Sequence, residues 1–101
     1  MENFIYKICS MDEWNDAEKV GEFRGSKKEQ LNSTLKKYYI NQGKLILLKV
    51  EVSNLKNLKW ERLQTEEAFP HLYSVLNLKN IKKTFEILLN KDGTHKLPSY
   101  L

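Results

Sequence analysis

The sequence predicts one domain of the α+β class, and three observations support this prediction. The chain has 101 residues, which is the length of a single domain. Its predicted elements follow the order strand, helix, helix, strand, strand, turn and strand, without the regular alternation that a doubly wound parallel sheet requires. Both helices lie near the N-terminus, and most strands follow them. We therefore expect a small α+β fold in which two N-terminal helices pack on a sheet.

Alternating apolar residues predict a first strand from Asn3 to Cys9. Ser10 and Glu13 then form a capping box, in which a serine and a glutamate three residues later each satisfy an unpaired amide at the start of a helix. Gly21 is placed to end this first helix, because glycine readily adopts the left-handed conformation that follows a helix.

A second helix is predicted after Ser26, which forms another capping box with Glu29. Gly43 is expected to end this helix. Between these limits, apolar residues recur at helical spacing and predict the buried side of the helix. They are Leu31, Leu35, Tyr38 and Tyr39.

The strongest strand signal lies at Lys44 to Val52, where an unbroken apolar run predicts a central strand buried on both faces. Leu58 to Arg62 alternates and predicts a short strand. The polar stretch from Leu63 to Ala68 is typical of a loop. Pro70 should prevent any regular central strand after that loop, because proline cannot donate a ladder hydrogen bond.

The C-terminal part of the chain predicts a final strand from Lys79 to Leu88. A turn follows at Asn90 to Gly93, where asparagine, aspartate and glycine favour tight turns. We therefore expect a single domain over residues 1–89 and a C-terminal tail over residues 90–101, whose order the sequence leaves open.

Basic residues outnumber acidic ones by 17 to 13, which gives a net charge of +4. Most of them are lysines spread along the chain, as on a solvated surface that keeps a protein in solution. A nucleic-acid-binding face is the alternative. Arginine makes the best paired contacts with phosphate and guanine, and the chain has only Arg24 and Arg62. The composition therefore disfavours nucleic acid as a partner.

Features of the whole chain predict a cytoplasmic protein that does not cross a membrane. Cys9 is the single cysteine, so an internal disulfide is excluded. The longest apolar run, Leu45 to Leu48, is far shorter than the roughly 20 residues of a membrane-spanning helix. The N-terminus lacks the basic start and apolar stretch of a signal peptide.

The block from Phe69 to Tyr73, which we expect to lie in a loop, holds the residues best suited to chemistry. His71 is the candidate acid, base or ligand-binding group, although an imidazole in a loop also serves to fix the backbone. Tyr73 suits stacking on a flat ligand, although tyrosine also packs in cores with its hydroxyl in water. Trp60 is either a platform for a ligand or a core residue. Glu61 is either a site carboxylate or one partner of a surface ion pair with Arg62.

Several common site designs are absent from the sequence. It has no phosphate-binding glycine loop, no Gly-x-Ser-x-Gly elbow and no His-Glu-x-x-His helix. No cysteine and histidine cluster has the spacing of metal ligands. We interpret Cys9 as a buried small hydrophobic residue and His95 as a surface residue. These absences argue against the usual hydrolase and nucleotide-binding designs.

A set of short motifs, spread over residues 4 to about 88, forms a recognisable combination. It comprises Ile5-Tyr6-Lys7-Ile8 with Trp14, the spaced residues Gly21, Phe23, Gly25 and Ser26, the strand Lys44 to Val52, Leu58-Lys59-Trp60-Glu61, and Phe69-Pro70-His71-Leu72-Tyr73. In this combination the chain resembles the family called domain of unknown function 952 (DUF 952). Its members are small bacterial and plant proteins without an assigned activity.

The resemblance implies a fold related to ADP-ribosyltransferases, which bind NAD in a cleft between split sheets. It therefore implies a mixed or antiparallel split sheet and a small-ligand pocket near His71, with NAD or a nucleotide-like molecule as the first candidate. His71, the one catalytic candidate, would hydrogen-bond a ribose hydroxyl. Tyr73 or Tyr6 would stack on the flat ring, and Arg24 or Lys7 would contact a phosphate. The binding candidates are Tyr6, Lys7, Arg24, Ser26, Trp60, Glu61, His71 and Tyr73.

The chain departs from the family pattern after Ser26. Family members usually carry a segment like Asp-Gly-Phe-Ile-His-Leu-Ser before the second helix, and its histidine resembles the first NAD-site residue of ADP-ribosyltransferases. Here Ser26 runs straight into Lys27 and the helix. The glycine and proline that follow His-Leu-Tyr in the family are Ser74 and Val75 here.

Two explanations of the short connection are open. The chain is a shortened member that has lost one wall of the site, or a mobile loop is missing between the numbered residues. A spacing of about 3.8 Å between consecutive Cα atoms near Ser26 would favour the first explanation.

We therefore expect a small-ligand-binding protein without robust transferase activity. The alternative is a non-enzymatic module that binds a protein or a nucleic acid. An exposed apolar patch would favour a protein partner, and lysines gathered on one face would favour nucleic acid.

Overall fold

Over the residues that it describes, the computed structural model shows two antiparallel sheets and two short α-helices. It describes residues 3–16, 23–53, 55–62, 67–74, 76, 78–99 and 101. The elements are β1 (Phe4–Ser10), α1 (Met11–Asp16), β2 (Phe23–Arg24), α2 (Leu31–Tyr38), β3 (Leu45–Glu51), β4 (Leu58–Arg62), β5 (Ala68–Leu72), β6 (Ile81–Leu89) and β7 (His95–Lys96). Short 3-10 turns at Lys28–Gln30 and Leu78–Asn80 precede α2 and β6. The predicted α+β class is confirmed, although the helical part is small.

The described strands form two separate sheets. One has four strands in the order β1-β3-β6-β7, and the other has three in the order β2-β5-β4. Every described pair of neighbouring strands is antiparallel. Tyr6 and Ser26 connect the sheets by exchanging two backbone hydrogen bonds of 2.9 Å, and the Gly25 N–H donates to the Pro70 carbonyl at 2.7 Å. The chain between β2 and α2 is therefore tied to both sheets.

β3 divides the core into two apolar clusters, one on each face of the four-stranded sheet. Leu45 and Leu47 face the first cluster, which Leu31 and Leu35 of α2 also join. Leu48 faces the second cluster, which lies against the three-stranded sheet. All three β3 leucines are fully buried, so the predicted central strand buried on both faces is confirmed. The second cluster also contains Ile5, Cys9, Phe23, Val50, Leu72 and Leu76.

The first capping prediction is confirmed in part. The Glu13 N–H donates to the Ser10 hydroxyl oxygen at 3.1 Å, as a capping box requires. The Glu13 carboxylate accepts from the Ser10 hydroxyl at 3.2 Å instead of from a backbone amide. Gly21, the predicted end of α1, lies outside the described residues, as do residues 63–66 of the predicted loop and Val75.

The second capping prediction is wrong, because Ser26 is engaged elsewhere. Its backbone pairs with Tyr6, and its hydroxyl lies 3.3 Å from the Thr34 hydroxyl. Gln30 takes over the cap, since its side-chain oxygen accepts from the Lys27 N–H at 2.8 Å. The start of the helical segment therefore depends on the pairing of the strand before it.

The apolar stripe of α2 is also shorter than predicted. Leu31 and Leu35 are buried and Tyr39 packs partly against the core, but the Tyr38 side chain is exposed. α2 ends at Tyr38, and Asn41 adopts the left-handed conformation with φ 66° that we assigned to Gly43. Asparagine tolerates this region because its short polar side chain can hydrogen-bond locally.

β5 contradicts the prediction that the block around Pro70 is a loop. It is the middle strand of the three-stranded sheet, with Trp60 of β4 opposite Pro70. The N–H and C=O of a strand residue point to the same side of the strand. Because the Pro70 carbonyl accepts from Gly25, the donor that proline lacks faces the two-residue strand β2. Pro70 therefore removes no backbone hydrogen bond between β5 and β4.

The C-terminal elements follow the sequence prediction through the turn at Asn90 to Gly93. Gly93 has φ 89° and donates its N–H to the Asn90 carbonyl at 3.0 Å. Beyond it, β7 pairs with the end of β6, and Leu97 and Leu101 pack against the first core cluster. No helix among the described residues is long and apolar enough to span a membrane.

Gly25 is expected to tolerate no side chain, because its position lies where the two sheets meet. A Cβ atom at residue 25 would be 2.9 Å from the Tyr6 carbonyl oxygen and 3.2 Å from the Phe23 ring. We expect Gly25→Ala to lower the free energy of unfolding by about 1–3 kcal/mol, as overpacking does elsewhere. Urea denaturation checks this value. Gly43→Ala is the control, since its Cβ would make an ordinary 3.5 Å contact with Leu89. If both variants lost the same free energy of unfolding, the close contacts at residue 25 would not be the cause of the loss.

Candidate functional site

One face of the three-stranded sheet carries a cluster of chemically capable side chains. His71 of β5 stands opposite Arg24 of β2 on one side and Lys59 of β4 on the other. Glu61 lies two residues from Lys59 along β4, so both point to this face, because strand side chains alternate. Leu72, the next residue of β5, points to the opposite face and is fully buried in the core. Strand register thus brings these side chains together.

Glu61 is the centre of this arrangement. Its carboxylate accepts a hydrogen bond from His71 Nδ1 at 2.9 Å and another from the Tyr73 hydroxyl. The guanidinium of Arg24 lies 3.9 Å from the same carboxylate. We call Arg24, Glu61, His71 and Tyr73 the Glu61 cluster. Because an ionised carboxylate only accepts hydrogen bonds, the contact with Glu61 places a proton on Nδ1 of the His71 imidazole.

The rings of His71 and Tyr73 form a stacked pair. Their centroids are 4.0 Å apart and their planes are inclined by 5°. The Tyr73 N–H donates to the Asn57 carbonyl at 2.9 Å, and the Lys59 ammonium lies 5.9 Å from the Tyr73 ring centroid. Tyr73 is 43% exposed. The site therefore offers a positioned aromatic ring that is still accessible at the surface.

The surroundings of Glu61 favour its ionised form. The pKa of Glu61 is lowered from its ordinary value, chiefly because the Tyr73 hydroxyl donates to the carboxylate. Partial burial acts in the opposite direction, whereas the electrostatic effect of His71, its hydrogen bond and the guanidinium of Arg24 add to the lowering of the Glu61 pKa. The cluster thus holds a charged carboxylate beside a stacked aromatic pair and a guanidinium, a combination suited to binding and to proton transfer.

The lowered pKa of Glu61 predicts a defined pH dependence of stability. A carboxyl group whose pKa is lower in the folded state contributes stability above its ordinary pKa, about 4.3, and loses it as the pH falls through the lowered value. We expect Glu61→Gln to be less stable than the wild type at neutral pH and to approach it in acid. Urea denaturation between neutral and acidic pH measures the difference. Glu86→Gln, which changes an exposed side chain of β6, is the control. If the wild type were more stable than Glu61→Gln by the same amount at every pH, the lowered pKa of Glu61 would be contradicted.

The other predicted site residues lie apart from the Glu61 cluster. Tyr6 and Ser26 are buried and pair with each other through their backbones. The Lys7 ammonium lies 5.8 Å from the ring centroid of Phe23, which points to the core side of β2. Trp60 is partly exposed but points to the opposite face of β4 from Glu61. Of the predicted residues, the structure brings together the four that form the cluster.

Lys59 is the residue that sequence reasoning missed as part of the site. It stands opposite His71 and its ammonium approaches the Tyr73 ring. The sequence contained the information needed to include Lys59, because it lies two residues from Glu61 on the same predicted strand and such residues share a face. Among the described residues, no group of three or more histidine, cysteine, aspartate or glutamate side chains is arranged to hold a metal ion.

Cys9 and His95 lie outside the site. Cys9 is buried, and burial raises the pKa of its thiol, which disfavours a reactive thiolate. This agrees with its interpretation as a small hydrophobic residue. His95 was expected at the surface but is half-buried, and its Nε2 atom lies 2.6 Å from the Gln42 carbonyl oxygen.

Residues 8–84 match the family described as "Protein of unknown function (DUF952)". The chain belongs to this family. It is similar to the crystal structure of CC0527 from Caulobacter crescentus, with 32% identity and a TM-score of 0.85 over 92% of this chain and 93% of that chain. The solution NMR structure of CC0527 has 31% identity and a TM-score of 0.80, over 92% of this chain and 91% of that chain. No curated protein matches the chain.

Proposed function

We propose that this protein binds a small nucleotide-like ligand at the Glu61 cluster, with NAD or ADP-ribose as the first candidates. The observation that carries the proposal is the stacked pair of His71 and Tyr73 beside a carboxylate and a guanidinium. Nucleotides combine a flat base, ribose hydroxyls and phosphate, and each of these groups has a counterpart here. An aromatic ring stacks on a base without strong sequence preference, since every base has a π-face.

The proposed binding mode assigns one part of the ligand to each side chain. Tyr73 stacks on the base, because its ring is partly exposed whereas that of Tyr6 is buried. Arg24 contacts a phosphate. Its guanidinium has five donors, and because its 3.9 Å distance from Glu61 is long for a hydrogen bond, that contact leaves donors for a phosphate. His71 and Glu61 hydrogen-bond the ribose hydroxyls. Acidic residues have this role in dinucleotide-binding folds.

We propose further that the two antiparallel sheets are a reduced form of the split sheet of ADP-ribosyltransferases. The division of the described strands into two sheets that are linked at Tyr6 and Ser26 supports the relation to a split sheet. The short connection at Ser26, which leads through Lys27 and a single 3-10 turn into α2, supports the shortening. In this proposal the chain is a cytoplasmic, shortened family member that lacks the usual histidine segment. Purified protein should then show only background NAD hydrolysis and ADP-ribosylation, and robust turnover in either assay would refute this proposal.

The ligand proposal is tested by titrating ¹⁵N-labelled protein with NAD, ADP-ribose and AMP. We expect amide shifts at Arg24, Lys59, Glu61 and at the two stacked aromatic residues, with none in the turn around Gly93. Adenosine and pyrophosphate separate the contribution of the base from that of the phosphate. If millimolar concentrations of every nucleotide leave His71 and Tyr73 unshifted, the proposed site does not bind this class of ligand.

A further inference from the structure

Among the residues that the structure describes, no strand pairs with the outer edge of β4. β4 is the last strand of the three-stranded sheet and pairs only with β5 among the described strands. Its side chains are exposed or half-buried along the whole strand. Natural proteins cover, distort or charge such an edge, because its free backbone groups recruit further strands.

The direction of the backbone groups along β4 follows from the observed hydrogen bonds. The Asn57 carbonyl accepts from Tyr73, so residue 57 faces β5. Hydrogen-bonded pairs alternate with non-bonded pairs along an antiparallel ladder, so Lys59 and Glu61 also bond to β5. The Pro70 carbonyl, which bonds to Gly25 instead of to β4, confirms this alternation from the other strand. Leu58, Trp60 and Arg62 therefore direct their N–H and C=O groups outward.

The charges beside these outward groups are self-complementary. Lys59 and Glu61 flank Trp60 symmetrically. In an antiparallel pairing centred on Trp60, Lys59 stands opposite the partner's Glu61 and Glu61 stands opposite the partner's Lys59. Opposite charges directly across two strands stabilise their pairing, whereas like charges destabilise it. The same strand therefore matches itself in both hydrogen bonding and charge.

We propose that β4 pairs with β4 of a second copy of this chain, with the twofold axis at Trp60. Trp60 exchanges backbone hydrogen bonds with the partner's Trp60, and Leu58 does so with the partner's Arg62. The two three-stranded sheets become one six-stranded sheet. Trp60, which is 41% exposed in the single chain, is covered by the second tryptophan on the axis.

The charge pairs lie in non-hydrogen-bonded positions of the new ladder, where Cα atoms are closest, about 4.5 Å apart. The Glu61 carboxylate has about four lone-pair sites. It can therefore accept the partner's Lys59 ammonium in addition to His71 and Tyr73. This inference does not rest on the proposed ligand, because a nucleotide would approach the face of the sheet and the second copy adds to its edge.

Sedimentation equilibrium over micromolar to millimolar concentrations tests the pairing. We expect the wild type to be a dimer and Lys59→Glu to be a monomer, because glutamates would then face each other across both pairs. Trp60→Pro removes an outward N–H without touching the bonds to β5, so it should also give a monomer. Lys56→Glu, an exposed lysine before β4, is the matched control and should stay dimeric.

Disulfide trapping tests the register and does not depend on the charge variants. Trp60→Cys should crosslink to its own copy on oxidation, since Cα atoms of a bonded pair are about 5.5 Å apart and within disulfide range. Lys59→Cys should not crosslink to itself but should crosslink to Glu61→Cys when the two are mixed. The wild type, with only buried Cys9, is the control. A monomeric wild type, or a dimer that survives Lys59→Glu and forms no Trp60→Cys crosslink, would overturn the proposal.

Discussion

Leu72→Ala is expected to lower the free energy of unfolding by about 2–5 kcal/mol, the cost of truncating a fully buried leucine. Leu72 has no exposed surface and lies between the two sheets, opposite Phe23 of β2 and Leu58 of β4. It belongs to the same cluster as Leu48 of the four-stranded sheet. Truncation would leave a cavity where the sheets pack on each other. Because small domains are stable by only about 5–15 kcal/mol, this loss is a large share of the total.

Urea denaturation followed by circular dichroism measures the effect, and Leu88→Ala is the matched control. Leu88 is a strand residue of β6 that is 52% exposed, so removal of the same atoms should change the stability little. The same loss in both variants would show that the core between the sheets does not depend on Leu72.

Tyr73→Ala is expected to weaken nucleotide binding by about 5- to 150-fold. This range corresponds to the 1–3 kcal/mol that stacking of one base on an aromatic ring contributes. The variant removes the partly exposed ring and also one hydrogen bond to Glu61. Isothermal titration calorimetry with ADP-ribose measures the change. This prediction rests on the proposed function.

Two further variants separate the contributions to this effect. Tyr73→Phe keeps the ring and removes the hydroxyl, so it should retain most of the stacking while raising the pKa of Glu61 toward its ordinary value. Tyr38→Ala removes an exposed tyrosine on α2 and should leave the affinity unchanged. Unaltered binding by Tyr73→Ala would place the ligand elsewhere on the protein.

The strands that the sequence predicted well are those with a simple pattern of apolar residues. β3 has an unbroken apolar run and is buried on both faces, and the residue types of β4 alternate, so the pattern of apolar residues is enough to find both strands. β5 was missed because Pro70 is a strong local signal against a central strand, and only the neighbouring register shows that its missing donor costs no bond to β4. Likewise, the start of α2 depended on the pairing of Ser26 with Tyr6. Long-range pairing decided each of these cases.

In the site, too, the sequence indicated the residue types but not the strand register that brings them together. His71, Tyr73 and Glu61 were chosen from the sequence because their side chains suit ligand binding. Their contact depends on β4 and β5 being paired so that Glu61 stands opposite Phe69. A shift of one residue would place Trp60 on the site face and Glu61 on the other. Without knowing that β5 is a strand, the sequence could not distinguish these two arrangements.

The most direct test of the account is a set of intermolecular nuclear Overhauser effects between bound ADP-ribose and the aromatic side chains. If the Glu61 cluster is the binding site, adenine protons should show cross-peaks to the Tyr73 ring and ribose protons should show them to His71. Cross-peaks confined to other aromatic residues, such as Tyr38, or the absence of cross-peaks under saturating ligand, would contradict the central claim that this face of the three-stranded sheet binds nucleotides.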